Sequence, residues 1–158
     1  MPYRTITDSL SASGYRFGIV VARFNPEITD GLLAGAQQAL INAGAGEGSM
    51  NVYYVPGSFE LPLLAQKLAE TQQFDAIICL GAVIKGETPH FDFVAAGAQQ
   101  GIMEVSLKFG IPVLFGVITA LTMEQAIARS TDSSTNRGRE SALGALEMLA
   151  ALKELSCK

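Results

Sequence analysis

The chain has 158 residues, 49% of them hydrophobic and only 16% charged, and it carries a net charge of −4. An acidic chain with no clustered basic face excludes a nucleic-acid partner, which calls for phosphate-neutralising lysines and arginines. Two cysteines and a single histidine exclude a disulfide framework and a zinc site, and no run reaches the ~18 apolar residues of a membrane span.

In chain order, residues 1–14 read as an arm or an extra edge strand, and residues 15–158 as a single domain. The opening MPYRTITDSL lacks the basic-then-apolar pattern of a secretory signal, so a cytoplasmic, reducing location is expected. Four short, continuous apolar runs predict strands covered on both faces: FGIVVA (17–22), NVYYV (51–55), FDAIICLG (74–81) and IPVLFGVIT (111–119). After the first run, Ile28, Leu32, Ala36 and Leu40 recur at helical spacing. Asn25 is the expected N-cap, Pro26 the first helical residue and Gly44 the stop. Leu61, Leu64, Ala65 and Leu68 mark a second helix, with Pro62 blurring its start, and Val94, Ala98, Gly101 and Val105 mark a third. Thr122 and Gln125 have capping-box spacing and open a short helix to about Arg129. The polar stretch STDSSTNRG follows, and Ala142, Leu146 and Leu149 mark a last helix.

This alternation predicts an α/β fold, a doubly wound, flavodoxin-like three-layer sandwich around a four-stranded parallel sheet. The N-terminal segment is a candidate strand for exchange with a neighbouring subunit. Charged residues ordinarily make up about 25% of a globular chain, so this chain's uncharged surface, with a mean hydropathy of +0.29, is expected to be covered by copies of itself.

Ligands of open α/β sheets bind outside the carboxyl ends of the strands. The loops to inspect are therefore Arg23 to Asn25, Pro56 to Glu60, Gly81 to His90, and the segment from Thr119 onward. The third has P-loop-like spacing, but Glu87 stands where a phosphate-binding lysine is required, which excludes nucleotide hydrolysis. With Thr88 as N-cap and Pro89 as first helical residue, the amides after Gly86 are free to face a phosphate, provided the Glu87 carboxylate points elsewhere. His90 would then be the second helical residue. The positive end of a helix disfavours a cationic side chain and suits an imidazole acting as a base. The alternative is a histidine packed on Phe91 or Phe93.

Other residues also admit two readings. Phe24, Phe59 and Phe115 are either core aromatics or ring-stacking residues, and Phe24 is awkward to bury between Arg23 and Asn25. Glu60 either complements a helix dipole or accepts bonds from sugar hydroxyls. Arg129, Arg137 and Arg139 either serve helix ends and solubility or include the charge partner of a phosphate.

The motifs RFN (23–25), VPGSFELP (55–62), GAVIKGETPHFDFVA (81–95), FGVIT (115–119), EQAIAR (124–129) and NRG (136–138), each at its expected spacing, resemble the lumazine synthase family. The likeness runs from Gly14 to about Leu152. It implies a transferase of riboflavin biosynthesis that condenses 5-amino-6-(D-ribitylamino)uracil with 3,4-dihydroxy-2-butanone 4-phosphate, without metal or organic cofactor. By the same resemblance Phe24 and Asn25, Ser58 to Glu60, and Ala82, Val83 and Ile84 would hold the pyrimidine and its ribityl chain. Gly86, Glu87, Thr88, Arg129 and Arg137 would bind the phosphate, and His90 would move protons. Phe115 of a neighbouring subunit would cover the ring, placing the sites at subunit interfaces of a homopentamer. Many members carry Gly-Thr-Lys-Ala-Gly-Asn-Lys-Gly where this chain ends its polar stretch in Asn136-Arg137-Gly138. Two glycines and both lysines are gone, Arg137 replacing the second lysine, which leaves an icosahedral shell of 60 subunits open. Two competing readings are a riboflavin synthase of the same fold and a flavin-binding or shell-forming protein without catalysis.

Overall fold

A computed structural model describes residues 10–131 and 134–156; most of the proposed N-terminal arm, together with Asp132, Ser133, Cys157 and Lys158, lies outside the described residues. Four strands, β1 (Phe17–Ala22), β2 (Met50–Val55), β3 (Ala76–Ile84) and β4 (Val113–Ala120), form one parallel sheet in the order β2-β1-β3-β4. The helices are α1 (Pro26–Asn42), α2 (Leu61–Glu70), α3 (His90–Phe109), α4 (Met123–Ala128) and α5 (Arg137–Ser156).

Alternation along the central strands explains the three layers. Ile19 and Val21 of β1 and Ile78 and Leu80 of β3 point to one side, where they meet Leu32, Leu40, Leu146 and Leu149 of α1 and α5. Val20 of β1 and Ile77 and Cys79 of β3 point to the other, against Leu61, Ala65, Ile102 and Val105 of α2 and α3. Each fully buried Ile or Leu contributes about 1.5–3 kcal/mol, so the apolar faces hold helices on both sides of the sheet. The expectation of full burial fails for both edge strands, for β4 at Phe115 and Thr119 and more widely for β2. As an edge strand it keeps Asn51, Val52 and Tyr53 half-buried and leaves Tyr54 exposed.

Two strands also differ in their ends from expectation. β3 runs on to Ile84, where the glycine at 81 suggested a loop, and β4 begins at Val113 and ends at Ala120. The third connection is therefore only residues 85–89. Thr122 caps α4 as expected, its hydroxyl accepting from Gln125 N at 3.2 Å. Gln125 Oε1 reciprocates one residue further back, accepting from Leu121 N at 2.9 Å. Of the segment before residue 15, Ala12 is buried and donates its N–H to Ala43 O at 2.9 Å, past the end of α1. Among the described residues no helix is long and apolar enough to cross a membrane.

Candidate active site

The sheet order reverses direction between β1 and β3, and the cleft opens at the carboxyl ends of those strands. Its floor arises from unequal strand lengths. The β1–β3 ladder ends at Val21 and Leu80, whereas the β3–β4 ladder continues to Ile84 and Ala120. Ala82, Val83 and Ile84 thus lack a strand on their β1 side. Asn25 satisfies part of that edge, its Nδ2 donating to Ala82 O at 3.2 Å. It does not cap α1 with its side chain as expected, because its backbone is left-handed (φ 58°, ψ 59°) and turns the carboxamide away from the helix. Asparagine tolerates this conformation better than other residues with a Cβ.

The same turn presents Phe24. Arg23 N donates to Val55 O at 2.9 Å and Phe24 N to Pro56 O at 3.2 Å, fixing the backbone beside β2. The ring itself is 70% exposed. A single 3-10 turn, Ser58–Glu60, forms the next wall. Glu60 Oε2 accepts from Gly57 N at 2.9 Å, so this carboxylate braces the turn while lining the cleft. Phe59 is also exposed and seats on α3, where a Cβ at Gly97 would lie 2.7 Å from Phe59 Cε2. Exposure removes the core-aromatic alternative for both rings. Ser58 Oγ is buried against Gly81 and, among the described residues, has no hydrogen-bond partner. A buried hydroxyl left unpaired costs about 1–3 kcal/mol.

The third wall is the start of α3. His90 is its first residue and Pro89 occupies the cap position, one residue later than the sequence suggested. Asp92 N and Phe93 N both turn back to Pro89 O, at 3.0 and 3.4 Å, and Thr88 Oγ1 accepts from His90 N at 3.4 Å. His90 is exposed and lines the cleft together with Phe93 and Val94. These last two are cleft residues that the sequence reading missed, whereas Gly57 fell within an inspected loop without a role. The signal was present, since positions three and four beyond His90 must share its helix face, but Val94 was read only as part of a buried stripe.

The cleft, of about 530 Å³, therefore gathers Phe24, Asn25, Ser58, Phe59, Glu60, Ala82, Val83, Ile84 and His90. Gly86, Glu87 and Thr88 lie in the exposed connection just before His90 and do not line it. Phe115 is paired with Cys79, well before the end of β3, and its ring is 40% exposed on the edge strand.

Arg129 and Arg137 meet elsewhere, in a smaller depression of about 230 Å³ that they share with Ala128, Thr135 and Glu140. Arg137 N donates to Arg129 O at 2.8 Å, joining the two backbones. The Arg137 guanidinium pairs with Glu140 at 2.5 Å. Arg129 donates Nη1 to Gln125 O at 2.9 Å and, among the described residues, has no carboxylate partner. Arg139 does not line the depression, and the depression shares no residue with the cleft.

Residues 14–153 match the family model described as 6,7-dimethyl-8-ribityllumazine synthase. The chain belongs to that family. It is also 54% identical over 146 residues to the 6,7-dimethyl-8-ribityllumazine synthase of Desulfatibacillum aliphaticivorans, covering 92% of this chain and 94% of that one. Matches of this extent span all four strands and both depressions. Among the described residues no group of three or more His, Cys, Asp or Glu side chains is arranged to hold a metal ion.

Proposed function

We infer that this chain is a transferase that condenses 5-amino-6-(D-ribitylamino)uracil with 3,4-dihydroxy-2-butanone 4-phosphate, giving 6,7-dimethyl-8-ribityllumazine, phosphate and water in riboflavin biosynthesis. The observation that carries the residue assignment is the convergence of Phe24, the turn at Ser58 to Glu60, the bare end of β3 and His90 on one largely apolar cleft. An exposed ring at Phe24 suits stacking on a planar pyrimidine. The Glu60 carboxylate suits the ribityl hydroxyls of that substrate, and the turn it braces places Ser58 and Phe59 on the same wall. His90, exposed at the rim, can take a proton from the attacking amine and return it to the departing oxygen. Amine attack on the ketone with loss of water, elimination of phosphate, and ring closure with loss of a second water all draw on reactivity within the substrates, so holding them together supplies most of the acceleration.

Phosphate binding is assigned to the Gly86, Glu87 and Thr88 backbone with Arg129 and Arg137. Because the arginines and Phe115 stand apart from the cleft of their own chain, we assign them to the cleft of a neighbouring copy. Exposed apolar side chains favour that assembly: Phe93, Met103 and Leu107 on α3 face outward, as do Phe115 on β4 and Leu121, Met123 and Ile127 around α4. A homopentamer in the cytoplasm is the proposed unit, with 60-subunit closure left to the altered loop before Arg137 and the N-terminal segment free to join a neighbour's sheet.

The test is a spectroscopic assay of the purified protein with both substrates, following lumazine absorbance. Enzyme-dependent product is expected, and Arg129→Ala should raise KM for the phosphate substrate about 30-fold, the loss of a charge-assisted contact of about 2 kcal/mol. Consumption of lumazine in place of its formation would assign a riboflavin synthase, and ligand affinity without turnover a binding or shell-forming protein.

A further inference from the structure

The depression that holds Arg129 and Arg137 is organised by a residue that does not line it. Asn136 is only 2% exposed, and its Nδ2 donates to Ser130 O at 3.1 Å, Thr131 O at 2.9 Å and Gly31 O at 3.1 Å. Its Oδ1 accepts from Arg139 N at 3.0 Å, so the same side chain caps α5. Two amide hydrogens serve three carbonyls, and every polar atom of the group is engaged.

The partners matter more than their number. Ser130 and Thr131 directly follow Arg129, and Arg137 directly follows Asn136. The third acceptor, Gly31, belongs to α1, 105 residues away in sequence. Two bare positions one helical turn apart let the loop lie on that helix. A Cβ at Gly31 would strike Ser130 O, and one at Gly35 would strike Asn136 Oδ1. Arg129 and Arg137 are long, exposed side chains, so the accuracy with which they meet an anion depends on how firmly their backbone is held.

We propose that Asn136 is a positioning residue for phosphate binding: its buried carboxamide holds the backbone beside Arg129 and Arg137 against α1, and thereby sets affinity for the phosphate-bearing substrate. The inference rests on the assignment of those arginines to phosphate. Capping α5 needs only Oδ1, and serine caps helices as well as asparagine does. The two amide hydrogens go to the loop carbonyls and to Gly31 O of α1, and none serves α5. Asn136→Ser separates the roles, because it keeps a capping oxygen, removes the donors to the loop and adds no charge.

The experiment is steady-state kinetics of N136S, of Gly35→Ala, whose new Cβ pushes on Asn136 from the far side, and of Arg129→Ala. N136S and G35A are expected to raise KM for the butanone phosphate, and Ki for inorganic phosphate as a competitor, about 10-fold. KM for the pyrimidine should stay within about 2-fold and kcat within about 3-fold of wild type. A residue that only caps α5 would give wild-type constants in N136S, and one that only stabilises the fold would lower kcat with both KM values unmoved; either result overturns the inference. If Arg129→Ala leaves the phosphate KM unchanged, the phosphate assignment fails and the inference with it. If Arg129→Ala weakens phosphate binding while N136S and G35A do not, the inference alone fails. G35A retains the asparagine, so the test does not depend on how well N136S folds.

Discussion

The two depressions of this molecule are built on opposite principles. The cleft is walled by strand ends and helix starts, with Phe24 and Phe59 held at its mouth by backbone bonds and by the bare face of α3 at Gly97. The second depression is charged and loop-built, and one buried carboxamide stands between its arginines and α1. A planar ring needs a surface of fixed shape, which strand ends and the short bonds between them provide. An anion needs charge at a fixed point, and long arginines supply that only when their loop is anchored.

The comparison can be broken by substitutions that should act on one region alone. The largest effect is expected at His90: the alanine variant should lose about 100-fold in kcat, within the usual range for a general acid–base group, and still exceed the uncatalysed rate. Rapid-mixing kinetics with both substrates check this, and complete loss of activity would place more of the acceleration on the imidazole than proximity allows. Next comes Phe24→Ala. Loss of base stacking by alanine substitution costs about 1–3 kcal/mol, so pyrimidine affinity measured by calorimetry should fall about 10-fold while the phosphate Ki holds. Because the ring is 70% exposed, the melting temperature of that variant should not move.

The smallest effect belongs to Cys79 of β3, whose side chain is buried on the α2 and α3 side of the sheet and serves neither region. Burial pushes its thiol up to about 12, and the thiolate is the reactive form. Peptide-level mass spectrometry after iodoacetamide at pH 8 should find it unmodified in the native protein and alkylated after denaturation. The sign for stability follows: a raised value means the thiol's contribution is complete below its ordinary 9.0 and is lost as pH climbs toward 12.

Where the sequence was legible, it was because a pattern had one physical meaning. Continuous apolar runs such as FGIVVA belong to strands buried on both faces, and both central strands obey. Nothing in NVYYV distinguishes an edge from a centre, so the exposure of Tyr54 became visible only with the strand order. Gly81 read as a turn, yet there the missing side chain makes room for Ser58 inside an unbroken strand. Asn25 was located correctly and given the wrong partner, since the choice between a cap and Ala82 O depends on a left-handed turn that pattern does not encode. Residue types with chemistry at strand ends located most of the cleft. They did not reveal that Arg129 and Arg137 stand outside it, because that separation is a property of three-dimensional placement; only the family resemblance had set Phe115 apart.

The central claim is that the cleft of one copy is completed by the arginines of another, and mixed oligomers test it most directly. A variant carrying both Phe24→Ala and His90→Ala has a damaged cleft and intact arginines, whereas Arg129→Ala has the reverse. Co-expressed at equal levels and assayed at limiting substrate, they should recover about a quarter of the wild-type activity, the share of neighbour contacts that pairs intact partners in a closed ring under random mixing. Activity no higher than the mean of the two variants alone would contradict the account, and would require cleft and arginines to act within a single chain.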